Sequence, residues 1–287
     1  MTTQPYHIPA LLTESIEALN IKPSGIYVDC TLGGGGHTRA ILAALSQAPG
    51  EGGRLLAFDQ DTDAIGRALS DGELAGNPHL QLVHGNFRFL RNFLRFYGAE
   101  KVDGILADLG VSFHHFDDPG RGFSFRFEGP LDMRMNRDAR RDASALLAEA
   151  SEQELADIFH LYGELRQARR MAAAIVKARA QQPVATVERL LDVVKPFINP
   201  RQEKKELAQL FQALRIAVND EIEALRSLLV QARDALKPEG RLAIITYHSL
   251  EDRLVKNFLK TGNLEGREEK DFYGRPLSPC LLYTSPS

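Results

Sequence analysis

An apolar run, Ile26 to Val28, ends in Asp29 and passes through Cys30-Thr31-Leu32 into Gly33-Gly34-Gly35-Gly36-His37, after which a helical pattern begins at Thr38. This spells strand, tight glycine turn, helix. Glycine permits positive φ and lets a ligand approach the backbone where a Cβ would clash. The amides that open the following helix point toward such a ligand. An apolar strand leading straight into the turn argues against a plain surface loop. The glycines alone do not choose between NAD, FAD and S-adenosylmethionine (SAM).

The next strands narrow the choice. Arg54 to Phe58 ends at Asp59, Leu80 to His84 runs into Gly85-Asn86-Phe87, and Val102 to Ala107 ends at Asp108. Asp59 lies about twenty residues past the glycines, where an acid can hold both hydroxyls of a ribose. Each strand finishes in a polar or acidic residue, and open α/β sheets bind ligands outside the carboxyl ends of their strands. An NAD site does not need Asp29 just before its glycine turn. A SAM site often has an acid there, within reach of the methionine part, which favours a methyltransferase over a dehydrogenase.

The chain has 287 residues, 44% hydrophobic and 25% charged, which fits a soluble globular enzyme with a substantial core. A net charge of -3 argues against a nonspecific polyanion binder, so any nucleic-acid contact must come from a local patch. Cys30 and Cys280 show no disulfide or metal spacing, and Cys30 reads as a small core residue beside the turn. His7, His79 and His160 show no metal spacing either, so no metal is expected. With no signal peptide and no membrane-spanning run, the expected location is cytoplasmic.

Residues before Gly25 include an amphipathic helix, Ala10 to Leu19. From Ile26 to Leu109 strands and helices alternate, which implies a parallel sheet. Phe113 to Met135 then breaks the pattern, being rich in Gly, Pro, aromatics and charge. An irregular stretch of this length in a compact protein is usually functional or disordered, and its aromatics favour order. Helices follow from Ser144, from the capping-box sequence Ser151 to Glu154, over Ala168 to Ala180, and over Val187 to Val194. A long helix, Lys205 to Leu236, stops at Lys237-Pro238-Glu239-Gly240, and a strand covers Arg241 to Tyr247. The expected organisation is a cofactor-binding sheet domain over 1–129 and 205–261, an inserted helical subdomain over 130–204, and an atypical tail over 262–287.

At these residues the chain closely resembles a known family, the bacterial small-subunit (16S) ribosomal RNA cytosine-N4 methyltransferases (RsmH/MraW). The matching segments are the glycine turn with Asp29 and His37, Phe58 to Asp61, Gly85 to Phe87, Asp108 to Ser112, Arg121 to Phe125 and Leu131 to Met135. Further along they are Phe211 to Arg215, Val218-Asn219 and Tyr247 to Arg253. His7 and Leu11-Leu12 also fit. The resemblance covers about Tyr6 to Lys260. It implies a Rossmann-like, SAM-dependent α/β domain with an inserted helical subdomain, acting on N4 of a cytidine in the decoding region. It also implies SAM contacts at Gly35, Gly36, His37, Asp59, Phe87, Asp108 and His115. His115 stands where the family commonly has glutamine, and an imidazole can still donate or accept one hydrogen bond. The ending from Ser278 to Ser287 matches no family motif. It reads as a truncation or a frameshifted read-through, with the last strands of the sheet missing.

Two residues are expected to carry the chemistry. Asp108, at the end of the fourth strand, is placed to accept a hydrogen bond from an amine; it serves equally well as a cofactor ligand. The Asp/Asn-Pro-Pro-aromatic motif of DNA amino methyltransferases is absent here. His248, just past the fifth strand, can relay a proton near neutral pH, whereas Glu251 and Asp252 read as a helix start. Phe123, Phe125 and Phe127 alternate as core residues do, and at least one should be core; they could also stack on a base. The expected partner is small-subunit ribosomal RNA, free or in the assembled subunit, with no membrane. The basic residues that would meet its phosphates are Arg134, Arg137, Arg140 and Arg141, with Arg166, Arg169, Arg170, Lys177 and Arg179 on the insert. An ordinary solvated helix face is the plain alternative. Competing readings are a SAM-binding ribosome-assembly factor without turnover, a SAM-dependent methyltransferase acting on DNA or protein and, more distantly, an NAD oxidoreductase.

Overall fold

A computed structural model describes residues 9–46, 52–267 and 270–275. His7 and Cys280 lie outside them, as does the segment from Ser278 to Ser287. The strands are β1 (Ile26–Asp29), β2 (Arg54–Asp59), β3 (Leu80–His84), β4 (Val102–Asp108) and β5 (Leu236–Ile245). The helices in chain order are α1 (Leu12–Leu19), α2 (Gly36–Leu45), α3 (Thr62–Leu69), α4 (Leu90–Phe96), α5 (Phe113–Asp117) and α6 (Ala143–Glu149). They continue with α7 (Glu152–Leu161), α8 (Ala168–Arg179), α9 (Val187–Val194), α10 (Glu203–Asn219), α11 (Glu221–Ala235) and α12 (Ser249–Thr261).

The chain divides into two compact units, residues 1–110 with 222–287 and residues 111–221. The first is built on a parallel sheet in the order β3-β2-β1-β4-β5. Its central strands are apolar almost throughout because both faces are covered. Leu56 and Phe58 of β2 join Val28, Ile105 and Ala107 on one face, under Leu225, Leu228 and Leu229 of α11 and Val255 and Phe258 of α12. Leu55 and Ala57, one residue out of step, join Tyr27 and Leu106 on the other face, with Leu19 of α1 and Ile41, Leu42 and Leu45 of α2. Cys30 is a buried core residue, as expected, and burial pushes its thiol well above the usual range.

Two sheet-unit expectations change in detail. The fifth strand begins at Leu236 rather than Arg241. Lys237 to Gly240 form a bulge within it, with Val102 opposite Leu236 and Gly104 opposite Arg241. The helix before it does stop here, at Ala235; Glu239 takes φ 65° and Lys237 Nζ reaches Asp103 Oδ2 at 2.7 Å, so the same Pro-Glu-Gly sequence also bends the strand that follows. Among the described residues β5 pairs on one side only, with β4.

The second unit starts and ends beyond the expected insert of 130–204. The physical reason is its core, which takes side chains from both flanks: Phe123, with the partly buried Val111 and Phe125, from before residue 130, and Leu207, Leu210, Phe211 and Leu214 from α10. The expected helix from Lys205 to Leu236 is two helices. Asp220 breaks it in the left-handed region at φ 54°, a conformation Asp tolerates better than most residues. The helix expected from Ser144 starts at Ala143, capped by Asp142, whose Oδ1 accepts from Ala145 N at 2.7 Å. The capping box of Ser151 and Glu154 opens α7 as its sequence indicates.

Candidate active site at the carboxyl edge of the sheet

The strand order places β2, β1 and β4 side by side, so Asp59, Asp29 and Asp108 end three adjacent strands. Each has a different task. Asp29 is fully buried and faces inward to the turn rather than outward to a ligand. Its Oδ2 accepts from Thr38 Oγ1 at 2.7 Å and its Oδ1 from Thr31 N at 3.0 Å. Burial raises its pKa against the pull of those hydrogen bonds. The acid that the sequence suggested for the methionine part of a cofactor is therefore the clamp that closes the glycine turn onto the first turn of α2.

Within that turn Gly33 takes φ 51° and Gly35 φ 79°, both in the left-handed region. A side chain at Gly35 would strike Leu74 and Arg39, and one at Gly36 would strike Pro9. Gly34 faces open space, with no atom within 4 Å of where its Cβ would stand. The turn is thus packed on its inner side and open on its outer side, which is the shape a backbone-bound ligand requires.

Asp59 is half-buried, and both carboxylate oxygens are oriented by the backbone: Oδ2 accepts from Gly33 N and Oδ1 from Asp61 N, each at 2.9 Å. Those two amides fix the direction of the carboxylate at the end of β2. Phe87 follows β3 and is half-buried, next to Asn86, whose Nδ2 donates to Gln60 Oε1 at 2.8 Å.

Asp108 is set by its neighbours on every side. Its backbone N–H donates to Thr31 Oγ1 at 2.7 Å, and its Oδ1 accepts from the Tyr247 hydroxyl at 2.8 Å. Its Oδ2 stands 3.8 Å from Nδ1 of the buried His37, whose Nε2 lies 3.2 Å from the Ala10 carbonyl oxygen. The net effect on the Asp108 carboxyl is a raised pKa. Burial is the largest cause, Tyr247 and His37 oppose it, and Asp29 and Glu251 add to it. The Tyr247 hydroxyl is pushed above its usual range by burial and by Asp108.

His248 is the N-cap of α12. Its Nδ1 accepts from Glu251 N at 3.5 Å, which leaves the proton on Nε2, and Nε2 stands 3.2 Å from Glu251 Oε1 without hydrogen-bond alignment. Glu251 itself is buried, and its Oε2 accepts from Tyr247 N at 3.0 Å. Gly35, Gly36, His37, Asp59, Phe87, Asp108 and His248 therefore all lie in the sheet unit. His115 belongs to the second unit. There it is buried, its Nδ1 accepts from Ser112 N at 3.3 Å, and its ring lies 4.9 Å from that of Phe123. The sequence reading missed Tyr247 as an individual site residue. Its only signal was membership of the segment Tyr247 to Arg253.

The basic residues of the second unit sort into two groups. Arg134 chelates Asp132 at 2.9 and 2.7 Å and donates to the carbonyls of Arg137 and Ala139. Arg179 donates to the Leu147 and Ala150 carbonyls at the end of α6, and Arg141 pairs with Glu149 at 3.3 Å. These three have structural partners. Arg166, Arg169, Arg170 and Lys177 remain exposed, with Arg170 lying over the Phe197 ring at 5.5 Å.

A parallel α/β sheet with a glycine turn after its first strand, and acids at the ends of adjacent strands, defines a protein that binds a nucleotide-like cofactor at its carboxyl edge. The chain belongs to the MraW methylase family, whose pattern it matches over residues 4–268. A ribosomal RNA small subunit methyltransferase H of Bacteroides thetaiotaomicron is 56% identical over 277 residues, which cover 96% of this chain and 88% of that protein. One of the same name from Cytophaga hutchinsonii is 50% identical, covering 96% and 89%. A solved putative methyltransferase of an antibiotic biosynthesis pathway from Anabaena variabilis is 15% identical at a TM-score of 0.27. It covers 77% of this chain and 94% of its own, a likeness too weak to bear on fold or function. Among the described residues, no helix is long and apolar enough to cross a membrane.

Proposed function

We propose that this chain is a SAM-dependent methyltransferase that modifies N4 of a cytidine in the decoding region of small-subunit ribosomal RNA, in the cytoplasm. Family membership and the names of its relatives support the class of reaction and substrate. The observation that carries the chemistry is Asp108, a largely buried carboxylate at a strand end, fixed by Thr31 and Tyr247 and held at a raised pKa.

The residues fit the cofactor. The open side of the turn at Gly34 leaves room for it, Gly35 and Gly36 let the turn pack closely on Leu74, Arg39 and Pro9 behind it, and Asp59 would meet the ribose hydroxyls from the end of β2. His37 and Phe87 complete the set in the sheet unit, and His115 joins it on resemblance rather than geometry. When bound, SAM supplies an electrophilic methyl group. A cytosine amine is a weak nucleophile because its lone pair is delocalised into the ring. Asp108 accepts a hydrogen bond from that amine, localises the pair on nitrogen, and takes the proton as the new bond forms. Its raised pKa makes it a better proton acceptor than an ordinary surface aspartate. Much of the remaining rate comes from alignment. His248, with Nδ1 committed to its capping bond and Nε2 facing Glu251, orients the start of α12 beside Tyr247.

Transfer of a labelled methyl group from SAM to naked RNA, to isolated small subunits and to protein tests the reading, with mass spectrometry to locate the modified base. The expected product is N4-methylcytidine in small-subunit RNA. Tight SAM binding without transfer to any acceptor would identify an assembly factor instead.

A further inference from the structure

Tyr247 combines two features that seldom occur together. It is held at both ends: its hydroxyl donates to Asp108 Oδ1 at 2.8 Å, and its backbone N–H donates to Oε2 of the buried Glu251 at 3.0 Å. Yet 59% of the residue is exposed. An aromatic side chain in water ordinarily keeps its freedom or is covered by neighbours; this one is fixed and left open. Gly110 runs beside it at φ 96° with no side chain of its own, and a Cβ there would come 3.6 Å from Tyr247 Cδ2. Among the described residues of the sheet unit, no neighbour explains why a large ring should be immobilised in solvent at the edge where the strand-end acids gather.

We infer that the exposed face of Tyr247 is a stacking subsite for a nucleobase, and that the same tyrosine aims Asp108 at the rim of that base. The chemistry of the two groups defines the ligand. A π-face calls for a flat, conjugated partner. The carboxylate at the hydroxyl end of the ring is an acceptor, so the partner's edge must carry a donor. An exocyclic amine on a planar base meets both demands, as in cytosine or adenine, whereas uracil offers a carbonyl at the corresponding position. The identification of that base as the acceptor cytidine rests on the function proposed above. The stacking itself does not depend on turnover, so the two can fail separately.

The chain contains no tryptophan. Tyr247→Trp therefore places a single indole reporter at the subsite. Adding a single-stranded, cytidine-rich RNA oligomer should quench its emission, and a uridine oligomer should do so less. In methyl-transfer assays Tyr247→Ala should raise KM for RNA about 10- to 100-fold, the range that loss of one stacked base supports, with SAM affinity unchanged. Tyr247→Phe keeps the ring and loses the hydroxyl. It should hold KM within about threefold, and should move the acid limb of the kcat–pH profile upward, because the hydroxyl no longer favours the ionised Asp108.

A silent indole together with an unchanged KM in Tyr247→Ala would overturn the inference. So would a KM loss in Tyr247→Phe as large as that in Tyr247→Ala. Quenching with no methyl transfer by the unmodified chain would instead sink the proposed reaction and leave the subsite standing. Should Tyr247→Trp fail to fold, the Ala and Phe pair decides the matter alone.

Discussion

The sheet unit and the second unit both carry long family-like segments, but they use them in opposite ways. In the sheet unit the polar residues of those segments gather at one edge. Asp59 and Asp108 are only partly buried at their strand ends, and Tyr247 is open to solvent. In the second unit the polar residues of Arg121 to Phe125, Leu131 to Met135 and Phe211 to Asn219 turn inward. Arg121 is buried and donates to the carbonyls of Arg134 and Met135. Asn219 accepts from Met135 N at 2.7 Å and donates to the carbonyls of Met133 and Arg215 at 2.7 and 2.9 Å. Arg215 chelates Glu221 at 2.8 and 3.1 Å, and Phe125 packs on Phe211. The irregular stretch without helical or strand period is therefore ordered from outside by α10. The lesson is that equally distinctive motifs have two different origins: one set prepares a site, the other replaces the backbone ladder that a loop lacks.

That contrast can be broken in graded steps. Asp108→Asn removes the proposed proton acceptor and should lower kcat about 100-fold or more while leaving SAM affinity nearly unchanged. Equal losses in kcat and in calorimetric SAM affinity would make Asp108 a cofactor ligand only. Asn219→Leu, in the second unit, strands two backbone groups, Met135 N–H and the Met133 carbonyl, and should cost about 3 kcal/mol of stability by denaturant unfolding. SAM affinity of the folded variant should not move; a large drop would show that the inward-turned motif serves the site after all.

Asp59→Ala should weaken SAM binding by about 2 kcal/mol and also lower the melting temperature, since it strips the acceptor from Gly33 N and from the N–H of the buried Asp61. An unchanged dissociation constant would remove Asp59 from the site.

A carboxylate of the sheet unit that serves structure alone provides the control. Burial raises the Asp103 pKa, but hydrogen bonds from Lys237 and Ile26 outweigh it, and the net value is lowered. Its contribution is therefore complete above the unfolded value of about 3.9 and disappears as pH falls through the folded value. Asp103→Asn should cost about 1.5 kcal/mol at neutral pH and flatten the acid limb of the stability profile. An acid limb identical to the parent's would show that Asp103 carries none of it. The smallest effect is expected from Arg166, Arg169 and Arg170 changed together to Gln. The salt slope of RNA binding should fall by about one unit for each phosphate that is no longer neutralised, with SAM binding intact. An unmoved slope would leave those arginines as a solvated face.

The strands β1 to β4, the glycine turn, the capping box at Ser151 and the parallel class of the sheet were legible in the chain because each rests on local information. Apolar runs bounded by acids, glycine where φ must be positive, and Ser with Glu three residues on are all signals carried by a few neighbouring residues. The boundaries of the second unit were not legible. They depend on Phe123, Leu131 and Met133 finding Leu210 and Leu214, residues far apart in sequence that share one core. The break at Asp220 and the bulge at Lys237 to Gly240 were hidden for a related reason. Composition permits a continuous helix across Asp220; at Lys237 to Gly240 the helix stops as read, but nothing local shows that the strand has already begun at Leu236.

The same division runs through the site. That Asp29, Asp59 and Asp108 stand at strand ends follows from the sequence, since each closes an apolar run. That Asp29 faces inward, while Asp59 and Asp108 face out, does not follow from it. The three carboxylates terminate similar strands, and only their surroundings separate them: Thr38 and Thr31 close over the first, backbone amides orient the second, and Tyr247 holds the third. A carboxylate's role is set by what it is desolvated by and what donates to it. Those neighbours come from the residues that follow β5 and from α2 as well as from the turn after the acid's own strand, so the fold had to bring them together before the three acids could differ.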